Sequence, residues 1–422
     1  MKNTPDQPTN LRHCMVVYAD YPLGETRVQR EAEALLKHGY EVDVICLRLK
    51  GKPAKDAYKG VKIYRQRYRL PFMQTNNNSI AEKFLKYLLF FFTAAARVTW
   101  LHLQKPYTTI QVHNLPDFLV FCTLIPKWMG VPVILDLHDL MPEFFASRFK
   151  QNDSYGARLI RKQEHLACRF ADHVITVSEH WRQKLIERGV PAKKCSVVMN
   201  VADDQIFYPA VGQRPSTQPH DGFRLIYHGS IHKRYGLDLA VEAVARLQRD
   251  IPGISLSLVG NGPYLSTIQE LIQFLNIQEH VHIEPLHLAE ELPDIIRSFD
   301  LGVVPYRSDI FTDGLVPTKL MEYAALEIPS IAARTPTIQA YFEGTNTEFF
   351  EPGNLDDLVQ GIRMLYNNPE RRKALAAGSR NFTQRYNWTK IGAEYVALVD
   401  QLGMRGKSTP LNVPAFGAKA DK

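Results

Sequence analysis

The sequence predicts an α/β protein of two domains, each built on a parallel sheet covered by helices. Three observations predict it. The chain has 422 residues, more than one ordinary core accommodates. A strand, loop, helix, strand order recurs along it, the pattern of parallel sheets with helices on both faces. A polar stretch, residues 209–222, holds three prolines and two glycines with no continuous apolar run and reads as a linker.

The elements follow in order. Residues 13–18 form an apolar run, a buried strand that ends in a turn at Pro22-Leu-Gly24. Val28 to Leu36 carries apolar residues at helical spacing, and His38-Gly39 closes that helix. Further strands are expected at 42–47, 109–112, 132–137 and 173–177. Beyond the linker, strands at 223–228, 255–259, 281–283, 301–304 and 330–333 alternate with helices such as 236–249 and 317–325. The expected layout is a first domain at 1–208, the linker at 209–222, a second domain at 223–388, a last helix at 389–403 and a mobile tail at 404–422.

Composition excludes several classes. With 45% hydrophobic and 23% charged residues the chain lies in the globular range. Cys14, Cys46, Cys122, Cys168 and Cys195 are odd in number and scattered, which points to a reducing compartment and to neither a disulfide framework nor a metal-ligand spacing. The N-terminus carries no apolar stretch of the secretory kind, so a cytoplasmic location is expected. No Gly-x-Gly-x-x-Gly occurs, because Gly260-Asn-Gly262 lacks the third glycine, and a dinucleotide dehydrogenase is disfavoured.

The formal charge of +7 is unevenly spread. Residues 48–69 hold nine basic side chains against Asp56 alone. An apolar, Phe-rich run at 87–96 follows, flanked by Lys83, Lys86 and Arg97, too short to span a bilayer but suited to lying on an anionic one. The alternative is a core helix preceded by a solvated loop. No nucleic-acid recognition motif accompanies the charge.

The strongest local signal is Thr312-Asp-Gly-Leu-Val-Pro-Thr-Lys-Leu-Met-Glu-Tyr-Ala-Ala325, a glycine-containing loop feeding a helix with Pro317 at its first turn. The free amides there and the helix dipole favour a phosphate, and Lys319 adds a full charge. Glu322 lies on the same face, where a carboxylate can accept from two ribose hydroxyls; a surface ion pair between Lys319 and Glu322 is the alternative. The loop from Tyr227 to Gly236 also follows a strand and precedes a helix, so Arg234 and Lys233 are placed to reach the same anion.

With Tyr21-Pro…Arg27-Val, Gly39-Tyr-Glu-Val-Asp-Val, Val112-His-Asn-Leu-Pro, Leu137-His-Asp-Leu-Met-Pro-Glu143, Val174-Ile-Thr-Val-Ser178, His228-Gly-Ser, Val259-Gly-Asn-Gly-Pro263 and Pro317-Thr-Lys-Leu-Met-Glu322 in order, the chain resembles the family-4 retaining glycosyltransferases of bacterial surface-polysaccharide type. The resemblance implies the GT-B fold: two Rossmann-like domains facing across a cleft, with the last helix crossing back to the first domain. It further implies an acceptor-binding first domain and a nucleotide-sugar-binding second domain. Arg234 and Lys319 would grip the donor diphosphate and act catalytically with His138; Glu322 would hold the ribose. Gly24, Arg27, Gly229, Leu315 and Val316 would complete the donor site, and His113 and Asp139 would line the acceptor side. A histidine at a strand end is also an ordinary structural residue, which stays open for His113 and His138.

The sequence departs from the family pattern at three places. Gly314, with Asp313 beside it, stands where the first of two glutamates is usual, Ser230 replaces an arginine, and Glu327 replaces a glycine. The implied activity is retaining transfer of a hexose from a nucleoside diphosphate to a lipid-linked or saccharide acceptor, without metal or cofactor, since Lys and Arg can neutralise the diphosphate. Asp136-Leu-His-Asp139 and Asp203-Asp204 have no evident converging partners as metal ligands. A sugar-nucleotide epimerase and an inactive nucleotide-sugar-binding homologue are the competing readings. Peripheral attachment to the inner face of the cell membrane is expected.

Overall fold

The computed structural model describes residues 11–22, 25–68, 80–149, 155–209 and 222–404; Gly24, Arg69, the linker residues 210–221 and the tail from 405 lie outside the described residues. The chain divides into two compact units, Met1–Met199 with Ile391–Lys422, and Asn200–Lys390. The first boundary therefore falls at Met199, ahead of position 208. The second falls within the helix Trp388–Met404.

The first unit holds strands β1 (Arg12–Val16), β2 (Glu41–Leu47), β3 (Lys55–Tyr58), β4 (Val61–Gln66), β5 (Thr109–His113), β6 (Val133–Leu137), β7 (His173–Thr176) and β8 (Cys195–Val197). They are ordered β3-β4-β2-β1-β5-β6-β7-β8, and each adjacent pair is parallel except the β3–β4 hairpin. Strands β1, β5 and β6 are buried at every residue, because helices cover both faces, and they carry the buried polar residues Arg12, His13, Gln111, His113 and Asp136 among their apolar ones. The helix Thr26–Lys37 turns Val28, Ala32 and Leu35 inward, a stripe at helical spacing. The segment Ile391–Met404 belongs to this unit: Tyr395, Val399 and Leu402 are buried, the Tyr395 hydroxyl donates to Gln111 Oε1 at 2.6 Å, and Tyr40 donates to Asp400 at 2.5 Å. All five cysteines are free and buried.

Two sequence readings change here. The basic segment is a hairpin: Val61 and Ile63 are buried and Lys62 points out, so its alternation is that of a strand with one wet face. Several of its cations are already paired, Lys59 with Glu33 and Lys62 with Glu41, both at 3.1 Å, and the buried Arg65 with Asp56 at 2.8 Å. The apolar run of ten is part of the 25-residue helix Ile80–Gln104. By length and composition its segment Ala81–Gln104, of mean hydropathy 1.3, is long and apolar enough to cross a membrane. Phe90, Ala94, Val98 and Leu101 bury one face against the unit, while Phe84, Leu85, Phe92, Trp100 and Leu103 stand exposed on the other.

The second unit holds β9 (Arg224–His228), β10 (Ser255–Val259), β11 (Val281–Glu284), β12 (Leu301–Val304), β13 (Ser330–Ala333) and β14 (Glu348–Phe350), ordered β11-β10-β9-β12-β13-β14 and wholly parallel. This is the doubly wound order, with the first strand at the centre.

Candidate active site

Each sheet reverses its winding beside its first strand, between β1 and β5 in one unit and between β9 and β12 in the other. Crevices beyond the carboxyl ends of the strands at such points are where open α/β sheets hold ligands. The residues singled out from the sequence fall into two clusters, one at each reversal.

In the first unit the loops after β1, β5 and β6 enclose a cavity of about 300 Å³ lined by Val17, Tyr18, Ala19, Glu25, Tyr87, Asn114, Leu115, His138 and Asp139. Asn114 fixes its floor. Its side chain accepts from the His138 amide at 2.9 Å and donates to the Asp139 carbonyl at 2.6 Å and to Asp117 Oδ1 at 3.0 Å. Beneath lies a buried network centred on Asp136. Arg27 Nε and Nη2 each donate to one Asp136 oxygen at 3.0 Å, and Nη1 donates to the Val198 carbonyl at 2.6 Å. Gln111 bridges Glu31 at 2.8 Å and Asp136 at 3.1 Å. Burial opposes ionisation of Asp136, but the Arg27 and His138 charges outweigh it and hold the carboxyl well below its ordinary range. Burial likewise pulls His138 down, yet Asp136 more than offsets this and the imidazole ends raised, so it keeps its proton to higher pH than an ordinary histidine. His113, fully buried, is pushed down to about 4 and stays neutral.

The geometry revises two expectations. Arg27, only 4% exposed, is held inside the unit by Asp136 and does not present a free guanidinium to a diphosphate. His113 Nδ1, Asp136 Oδ2 and His138 Nε2 lie within 4.8 Å of one another, so Asp136 and His138 do have a converging partner of metal-ligand type. The guanidinium already seated on that carboxylate opposes a second cation there. His113 backs the site from the interior, and His138 and Asp139 reach the cavity.

In the second unit, the loops after β9 and β12 meet the helix Thr318–Ala325. Lys319 is buried, its Nζ donating to the Tyr306 hydroxyl at 3.0 Å and standing 4.8, 5.5 and 5.2 Å from the ring centroids of Tyr227, Tyr235 and Tyr306. Three tyrosine faces thus cage one ammonium. Burial lowers its pKa, as expected for a cation held short of a partner anion. The lysine passes directly over Gly229, whose φ is +113° and where an added Cβ would come within 3.4 Å of Lys319 Cε. Arg234 extends from the neighbouring turn, its guanidinium 5.0 Å from the Phe311 ring, and Tyr235 next to it stacks on Tyr306 at 4.6 Å. Gly236 ends that turn at φ +64°, with the Pro305 carbonyl where a Cβ would sit, so a side chain there would break the turn. Lys233 is exposed.

Glu322 does not pair with Lys319 as a surface ion pair would. It bonds His228 Nε2 at 2.5 Å, and His228 Nδ1 in turn meets the Tyr323 hydroxyl at 3.1 Å. One carboxylate oxygen is thereby oriented by a strand-end histidine. Leu315 closes the turn Thr312–Gly314 with its own amide, bonded to the Thr312 carbonyl at 3.1 Å, so that amide is engaged within the loop; Val316 is partly exposed before Pro317. Gly314 is buried, and Asp313 accepts from Ser308 at 2.8 Å. Glu327 takes φ +56°, a left-handed conformation that glycine adopts more easily, and Arg380 grips it at 2.7 and 2.9 Å.

Sequence reasoning missed Glu25, Asn114, Asp136 in its pairing with Arg27, His228 and the three tyrosines. Asn114, Asp136, Tyr227, His228 and Tyr235 stood inside segments already singled out, without a role assigned to their contacts, and nothing local marks Glu25 or Tyr306.

Two family descriptions match the chain: "Glycosyltransferase Family 4" over residues 24–205 and "Glycosyl transferases group 1" over residues 213–382. The chain is 25% identical over 240 residues to a GDP-mannose-dependent alpha-(1-6)-phosphatidylinositol monomannoside mannosyltransferase of Mycolicibacterium smegmatis, covering 54% of this chain but only 62%, less than two thirds, of that relative. It is 24% identical to a D-inositol 3-phosphate glycosyltransferase of Kineococcus radiotolerans, covering 85% of each. Among solved structures, Anabaena HepE in complex with UDP-glucose superposes with a TM-score of 0.71 at 15% identity, covering 93% of this chain and 100% of that one. The likeness in structure is one of fold, GT-B. Taken with the ordered motifs and the two family matches, it makes the chain a member of the family-4 glycosyltransferases.

Proposed function

We propose that this glycosyltransferase moves a hexose, with retention, from a nucleoside diphosphate to a lipid-linked or saccharide acceptor, as in bacterial surface-polysaccharide assembly. The observation that carries the reading is the caged Lys319 beside the Arg234 turn. An ammonium held in an aromatic cage at the first turn of a helix, with a second cation on the adjoining loop, is an arrangement for a pyrophosphate. When the nucleotide leaves, negative charge develops on that pyrophosphate, and preorganised cations stabilise it. Glu322, oriented by His228, accepts from the ribose hydroxyls. His138 serves the acceptor side.

The chemistry proposed is a same-face reaction through an oxocarbenium-like state, in which the leaving phosphate takes the acceptor proton. The two cations make a metal unnecessary. The relatives include users of GDP-mannose and a protein bound to UDP-glucose, so both donors enter the first assay. Lys319→Ala and Arg234→Ala are each expected to lower turnover by about a hundredfold or more, measured as nucleoside diphosphate release with acceptor. Near-normal turnover in both variants would remove the donor site. We place the enzyme on the cytoplasmic face of an anionic membrane, supported by the exposed apolar face of the helix Ile80–Gln104 and the exposed Lys50 and Lys55 of the basic segment.

A further inference from the structure

The cavity in the first unit carries a carboxylate that the fold does not use. Glu25 occupies the cap position of the helix Thr26–Lys37, yet its side chain makes no capping hydrogen bond. Among the described residues nothing pairs with it, although it is partly buried and lines the cavity with His138 and Asp139. Burial raises its pKa, with His138 opposing and Asp136 reinforcing the shift. A carboxylate in that state lacks hydrogen-bond donors.

The remaining lining says what kind of donors. Tyr18 and Tyr87, packed at 4.5 Å, offer aromatic walls of the kind that cover the apolar face of a ring. No lysine or arginine is among the lining residues, and Arg27 below is already neutralised by Asp136. A phosphate entering here would face Glu25 and Asp139 with one imidazolium as its sole counter-charge among the lining residues, and like charges at such range repel strongly in a partly dry site. Hydroxyl groups supply donors without that penalty. At about 300 Å³ the space lies at the small end of ligand pockets, the size for one ring.

We propose that this cavity seats a neutral, hydroxyl-bearing ring of the acceptor, and that Glu25 selects it against phosphorylated rings. The inference rests on the transferase reading above and names the substrate class at its acceptor side. The relatives acting on inositol phosphate or a phosphatidylinositol mannoside would then differ from this chain in the charge of what they accept.

The test uses saturation-transfer NMR on the full chain with matched probes: methyl α-mannoside and methyl α-glucoside against mannose 6-phosphate and glucose 6-phosphate. UDP and GDP binding is followed in parallel by thermal shift. The neutral pair is expected to bind the wild type and the phosphorylated pair to bind at least tenfold more weakly. Glu25→Gln, which keeps the shape and removes the charge, should weaken neutral-ring binding about tenfold, the size of one charge-assisted hydrogen bond, with nucleotide binding and Tm retained. Phosphorylated sugars binding as well as neutral ones, no binding by any of the four, or unchanged affinity in Glu25→Gln would each overturn the inference. If nucleotides bind while neutral sugars do not, only this inference fails. Failure of both nucleotides strikes the transferase reading itself.

Discussion

Asp117 shows how much a single buried group can govern. Its carboxyl is fully buried, one oxygen accepts from Asn114 at 3.0 Å, and burial pushes its pKa up to about 7. The protonated form is thus the one the fold tolerates. Its contribution is complete below the ordinary carboxyl range and is lost as pH climbs toward 7, because ionising it in the interior becomes a growing cost. Asp117→Asn is therefore expected to raise Tm by a few degrees at pH 8, on the order of 1–3 kcal/mol, and to change it little at pH 4. Melting curves across that range check the crossover, and a difference independent of pH would contradict it. The same residue marks the edge of what the sequence discloses. Lys319 and Glu322 were legible because a loop and one helical turn place them locally. Arg27 was not: its partner Asp136 is 109 positions away, so only the family resemblance spoke for it, and that placed it against the diphosphate. The tyrosine cage gathers Tyr227 from strand β9, Tyr235 from the turn after it and Tyr306 from the loop after β12, and no spacing in the chain announces it.

Among the elements, buried parallel strands were readable as apolar runs, and β5, β6, β7, β9, β10, β12 and β13 lie close to their expected places. The hairpin β3–β4 was hidden by its own lysines, since alternation with one wet face looks polar in sequence. Strands β8 and β14 have three residues each, too few to carry a period. The helix Ile80–Gln104 was visible only through its most apolar third. Its outer face yields a prediction: replacing Trp100 and Leu103 together with serine should lower co-sedimentation with anionic vesicles at least tenfold, because each large apolar side chain contributes roughly 1.5–3 kcal/mol when buried. Those two positions are solvent-facing in the protein, at 44% and 63% exposure, so Tm should hold. Equal recovery of variant and wild type would dismiss this face as the membrane contact.

At the scale of the molecule, the two units are unequal in how they are drawn from the chain. The second is one continuous segment, Asn200–Lys390, with its own parallel sheet. A polypeptide of those residues is expected to fold alone and to bind UDP or GDP, with calorimetry as the measurement; failure of both would show that the donor site needs the other unit. The first unit is closed by the segment after Ile391, and ending the chain at Lys390 removes Tyr395, Val399 and Leu402 from its core. Such a truncation should leave it unfolded or aggregating at 37 °C. The cysteines give this asymmetry a readout. All five positions, 14, 46, 122, 168 and 195, fall within Met1–Met199, and each thiol is interred with its acidity suppressed chiefly by burial. A maleimide dye will therefore stay dark while the unit Asn200–Lys390 melts and light up only when the other unit opens, so alkylation kinetics can time one half's breathing in the intact enzyme without engineered labels.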